Sequence, residues 1–220
     1  MRTEAAQLRL LTWFSPAFPV GGFGYSHGLE TAIREGAVGS AAEVARWIAG
    51  LLEHGSGWSD AVLFRLAWGA AGDAELEELA ELAEALAPSA ERHRETMQLG
   101  AAFLRAVKPW FDGPSPIGGE RKSPYPVAAG WASAAAAIPL GPALAAWLHG
   151  FVANLVSVAV RAIPIGQGEA LQVLAMLEPT ILASAGRASD AGRDDLGGCA
   201  FLSDIAAMRH ETLQPRLFIS

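Results

Sequence analysis

A chain of 220 residues, half of them apolar and 18% charged, has material for one domain with a full core, and two domains would be cramped. The net charge of −7 argues against a nucleic-acid binder, since no basic face is available to displace counterions from phosphate. A lone cysteine, Cys199, leaves no internal disulfide, and the first residues lack a continuous apolar run, so no secretory signal and a cytoplasmic location are expected.

Helical periodicity dominates and two-residue alternation is scarce, so the expected fold class is all-α, a single-domain bundle of about nine or ten helices over residues 1–220. A first helix is expected over Glu4–Phe14, with Leu8, Leu11 and Phe14 facing inward. Ser15 to Glu30 then reads as a rigid elbow. Pro16 and Pro19 end the helix, Gly21, Gly22 and Gly24 permit unusual backbone angles, and Phe18, Phe23 and Tyr25 need something to pack against. A second helix should run from Ser26 to Glu35 and stop at Gly36. Ser40 is an N-cap for a third, with Val44, Trp47, Ile48 and Leu51 inward. Gly55 and Gly57 should end it, with Ser59 capping a fourth helix that carries Val62, Leu63, Leu66 and Trp68.

Asp73 opens the most legible helix, whose stripe is Leu76, Leu79, Ala83 and Leu86, with Glu75, Glu77, Glu78, Glu81 and Glu84 on a solvated face. Ser89 starts another, ending at Val107 before Pro109. Residues 112–126 hold four prolines and three glycines and read as a loop. Helices are expected at Pro126–Ala137, Pro142–Ala162 and Gly168–Ser184, then a flexible loop over 186–203, a short helix Asp204–His210 and a tail, with 204–220 as a docking segment. No Lys, Arg, Asp or Glu occurs from Ser123 to Val160. Prolines break this stretch, so buried core helices are expected in preference to a membrane span.

Chemistry is sparse. Ser26, His27 and Glu30 are neighbours on one helix, where adjacent residues point about 100° apart, and no G-x-S-x-G elbow is present. The five histidines lie far apart, and His210–Glu211 alone suggests a surface metal contact, so no metal and no cofactor are expected. Gly166-Gln-Gly168 lacks the lysine of a P-loop and reads as a helix–helix corner, with Gln167 bonding the freed backbone groups. The tail carries Leu217, Phe218 and Ile219 in succession behind Arg216. Three such side chains must lie against this protein's own core or against a partner. An enzymatic reading predicts a concave ionisable cluster around His27 or His149; a membrane reading predicts Trp131 and Trp147 facing lipid.

Three separated motifs carry a resemblance. The elbow S-P-A-F-P-V-G-G-F-G-Y-S-H-G-L-E, the corner Arg161-Ala-Ile-Pro-Ile-Gly-Gln167, and the end Asp204-Ile-Ala-Ala-Met-Arg-His-Glu-Thr212 followed by Arg216-Leu-Phe218 resemble, in order, the UreF family of urease accessory proteins. The resemblance implies an all-helical, non-catalytic homodimer that binds UreD (also called UreH), the nickel-carrying GTPase UreG and, through them, apo-urease. It also implies a chaperone role coupling GTP hydrolysis to nickel insertion. Carried over by motif, the partner-binding residues are Tyr25, Glu30, Arg161, Gln167, Arg209, Glu211, Arg216, Leu217 and Phe218. Tyr25, Glu30 and Arg216 are expected on one surface, with the tail's arginine held by the elbow's aromatic or carboxylate. A GTPase-activating reading would give Arg209 or Arg216 a role at a phosphate. The chain departs from the family pattern at Leu213, Gln214 and Pro215, at Ile219 and at Tyr125.

Overall fold

A computed structural model describes residues 2–113 and 123–219, with side chains from residue 4 onward. The described residues form ten α-helices with three short 3-10 turns and no strand, an all-α fold. In order the helices are α1 (Arg2–Trp13), α2 (Leu29–Arg34), α3 (Ala41–His54), α4 (Ser56–Trp68) and α5 (Asp73–Ala85), then α6 (Ala90–Val107), α7 (Tyr125–Ala135), α8 (Leu140–Ala162), α9 (Gln167–Asp190) and α10 (Phe201–His210).

The apolar stripes dictate the packing. α8 buries Leu144, Leu148, Val152, Leu155 and Ala159 and lies against α9 and α4. α4 crosses α7 so closely that a Cβ on Gly130 would collide with the Phe64 carbonyl, which is why a residue without a side chain stands there. Around the end of α1, Trp13, Phe14, Phe103, Tyr125 and Trp147 form an aromatic cluster, with Tyr125 and Trp147 centroids 4.5 Å apart. α8 is the one described helix long and apolar enough to cross a membrane. Its Trp147 is buried between Phe14 and Phe64, and Trp131 packs on Phe111, so it is used as a core helix.

Several caps stand where the sequence places them. Ser40 accepts from the Glu43 N–H and Ser89 from the Arg92 N–H. Leu76, Leu79 and Ala83 are the buried stripe of α5, but Leu86, expected to continue it, is the C-cap and is exposed, because the helix ends at Ala85.

Other expectations need correction. Leu8 and Leu11 point outward at 66% and 73% exposure. The inward stripe of α1 is Ala6, Leu10 and Trp13, because the Trp13–Phe14 pair takes the core end and fixes the helix rotation. α4 begins at Ser56, since Gly55 alone makes the break and Gly57 packs against the Leu51 carbonyl. α2 is shorter than expected, because His27 and Gly28 are left-handed. α9 does not stop at Ser184. It runs through Gly186 to Asp190, because Ile181, Ala185 and Ala188 continue its buried face and outweigh the glycine penalty. The expected flexible loop 186–203 therefore shrinks to 191–200, with 186–190 in α9 and 201–203 in α10. Of the expected loop 112–126, residues 125 and 126 belong to α7, and 114–122 fall outside the described residues.

Candidate functional site

The three motifs, far apart in sequence, meet in space. In the elbow, His27 and Gly28 both have positive φ, +52° and +76°, which turns the chain sharply into α2. A side chain at Gly28 would also meet the Ser203 carbonyl oxygen at 2.8 Å, so α10 sits directly on this turn. The Ser203 hydroxyl donates to the His27 carbonyl at 3.2 Å. Asn154 of α8 donates to the Tyr25 carbonyl at 3.2 Å, and the Tyr25 hydroxyl donates to Gln98 of α6 at 2.9 Å. Burial, with Glu95 nearby, pushes the Tyr25 hydroxyl above its ordinary range.

Glu30 holds the tail. Buried at 1% exposure, it accepts the Leu217 N–H at 2.8 Å and the Phe218 N–H at 3.0 Å. The fully buried ring of His210 lies between two carboxylates, with Nε2 3.0 Å from Glu30 and Nδ1 2.8 Å from Glu91. Carboxylates only accept, so both contacts are hydrogen bonds when the ring carries both protons. Arg216 closes the network by donating to the other oxygen of Glu91 at 2.6 Å. Beside it, Arg161 donates to the Phe23 carbonyl at 2.6 Å, and its guanidinium lies 4.5 Å from the Phe218 ring centroid. The Ile219 N–H donates to the Gly24 carbonyl at 2.7 Å.

The site residues named from sequence separate into groups. Tyr25, Glu30 and Phe218 are buried, while Arg161 and Arg216 lie at the seam between tail and body. Leu217 is exposed. Arg209 pairs with Glu35 at 3.1 Å, and Glu211 accepts the Ala90 N–H at the start of α6. Gln167 is exposed on the first turn of α9. The backbone group freed at the corner, the Gly166 N–H, is bound by Glu169 at 2.9 Å instead. The tail's arginine is likewise held by Glu91 of α6 and not by Tyr25 or Glu30.

Glu91 was legible in principle. Glu91, Glu95, Leu99 and Phe103 recur every four residues on α6, so two carboxylates stand in register with core positions. Glu95 belongs to a second polar group. It lies 2.6 Å from Arg92 and 3.0 Å from His27, while Arg92 also reaches Asp60 at 3.3 Å. Burial alone would raise Glu95, but Arg92 and His27 outweigh it and hold the carboxyl at about 2. For Asp60 burial wins over Arg92 and pushes the carboxyl up. These groups floor a cavity of about 150 Å³ under the elbow, the ionisable cluster at His27 that an enzymatic reading calls for. His149, by contrast, is exposed.

Outside the network α10 is amphipathic in an unusual sense. Ala206, Ala207 and His210 face the body, while Phe201, Leu202, Ile205 and Met208 face outward, Leu202 at 77% exposure. Phe23, Leu217 and Ile219 add exposed apolar surface at the elbow–tail seam.

Fold and site together define an all-helical protein whose charged groups bind its own C-terminal segment to an elbow and leave an apolar face outward. The UreF family profile matches residues 38–178. Over nearly the whole chain it is 51% identical to the urease accessory protein UreF of Mesorhizobium japonicum, covering 99% of this chain and 98% of that one. The same-named proteins of Sinorhizobium medicae and Rhodopseudomonas palustris are 50% and 47% identical, each over 98% of this chain and over 96% and 94% of theirs. The chain belongs to the UreF family.

Proposed function

We propose that this chain serves urease maturation as a non-catalytic cytoplasmic chaperone, a homodimer that bridges UreD (UreH) and the GTPase UreG. In that role it would couple GTP hydrolysis to nickel insertion into apo-urease. The supporting observation is the outward apolar face of α10, continued by Leu217 and Ile219, on a segment that the Glu30–His210–Glu91–Arg216 network holds in one position. A preorganised apolar surface lowers the ordering cost of association and suits a protein partner. Coupling to the GTPase then needs only a difference in affinity for its two nucleotide states. An arginine donated to a phosphate fits less well, because Arg216 is engaged by Glu91 and Arg209 by Glu35. An enzymatic reading draws on the His27 cluster, and unaided turnover lost in His27→Ala would favour it.

The test is capture of purified UreD, then of UreG, by the full chain and by a chain lacking residues 204–220. The expected result is capture by the first and loss of UreD by the second. Equal capture by both would overturn the reading.

A further inference from the structure

We propose that the outward face of α9 is the dimer interface, packing antiparallel against α9 of a second copy of this chain. The inference rests on the homodimer read above and assigns the surface that makes it. α9 runs for 24 residues and turns Val173, Leu177 and Ile181 into the core. Its opposite face is apolar too. Leu171 and Leu182 are 65% and 64% exposed, and Ala175, Pro179 and Gly186 stand exposed beside them. From Ala170 to Gly186 the one ionisable residue is Glu178. A helix that is apolar all round belongs in an interior, and this one has a single side covered by its own chain.

The pattern selects a second copy because it complements itself. At 100° per residue, positions 171, 175, 178, 179, 182 and 186 fall within about 100° of arc, a single stripe. A two-fold axis across the helix between 178 and 179 maps this stripe onto itself. It sets Leu171 opposite Gly186 of the second copy, and Ala175 opposite Leu182. Each large side chain then meets a small one, so the helices interlock along about 22 Å, the rise from Leu171 to Gly186. A two-fold dimer requires a patch that fits itself in this way. The electrostatics agree. Antiparallel helices place the positive end of each dipole beside the negative end of the other. A stripe this poor in charge, on a chain of net charge −7, has the composition of an interface centre. Glu178 lies at the edge of the stripe, where its carboxylate stays in water and the repulsion between copies is small.

Sedimentation velocity of the full chain reads the dimer directly, and the parent is expected to be dimeric. Ala175→Leu sets leucine against Leu182 of the second copy, an overpacking that should weaken the dimer at least tenfold. Ala175→Leu combined with Leu182→Ala exchanges large for small across the axis and should bring affinity back to within about threefold of the parent. Alanine and leucine are both strong helix formers and both positions are exposed, so the monomer fold should survive, checked by circular dichroism. A second measurement reads the register. With the exposed native thiol removed by Cys199→Ser, Pro179→Cys beside the axis should cross-link two copies on oxidation. Leu171→Cys, about 22 Å along the helix from its equivalent, should not. A monomeric parent would overturn the homodimer and this interface together. A dimeric parent indifferent to Ala175→Leu, or not restored by the exchange, would overturn this interface alone and leave the face to a different protein. Equal cross-linking through positions 171 and 179 would likewise overturn it while the homodimer stands.

Discussion

Glu95 is ionised in the folded protein far below the usual carboxylate range, and that has a consequence for stability. A carboxyl held at about 2 against an ordinary 4.5 stabilises the fold by an amount on the order of 3 kcal/mol, fully present above about pH 4.5 and lost as pH falls toward 2. The depressed folded value fixes this sign. Glu95→Gln should therefore unfold at lower urea than the parent at pH 7, by roughly that amount, and the gap should narrow between pH 4.5 and 2. An unchanged gap across this window would mean that Glu95 is not the group involved. His210 has a different office, since its ring touches both Glu30 and Glu91. His210→Ala removes a hydrogen-bonding partner from two buried carboxylates, a loss that typically costs about 1–3 kcal/mol. The Leu217 and Phe218 amides, which bond to Glu30, should then exchange with solvent at least tenfold faster, measured by hydrogen exchange. Protection equal to the parent's would show that the tail is held by Phe218 packing alone.

Among the elements, those whose signals are local were legible in the sequence. Ser40 and Ser89 stand at N-caps, Leu76, Leu79 and Ala83 form the stripe of α5, and Pro164 marks the corner after α8. What escaped depends on residues far apart in sequence, from 32 positions for Asp60 and Arg92 to 125 for Glu91 and Arg216. Nothing in the spacing around Arg216 says that its partner is Glu91, and nothing around Asp60 says that Arg92 will divide itself between two carboxylates. The rotation of α1 departs from its local apolar pattern because Trp13 and Phe14 find their partners on α6 and α8. Gly28 joins local and distant causes, needing positive φ while the α10 backbone occupies the space of its missing Cβ. Gly28→Ala should cost about 1–3 kcal/mol and act on α10 first. Proteolysis within 191–200 should accelerate before global unfolding does, and resistance equal to the parent's would rule out this coupling of elbow to helix.

At the scale of the whole molecule, the C-terminal segment is divided between two tasks by its own geometry. One face of α10 carries Ala206, Ala207 and His210 into the body, where small side chains and a buried charge network fix its position. The other carries Phe201, Leu202, Ile205 and Met208 to the surface, where they add nothing to the core. Removing residues 204–220 destroys both tasks at once, so truncation alone leaves docking and folding entangled. Point substitution separates them. Leu202→Lys with Ile205→Lys changes exposed positions only, and such changes usually alter stability by less than about 0.5 kcal/mol. The unfolding midpoint should therefore stay where it is, while UreD capture falls at least tenfold if this face is the docking surface. Ala207→Lys changes the buried face, so it should lower the midpoint and, by releasing α10, weaken capture as well. Full capture by the Leu202–Ile205 variant would place the partner elsewhere on the molecule, with Leu8 and Leu11 on α1 as the next exposed apolar pair to change.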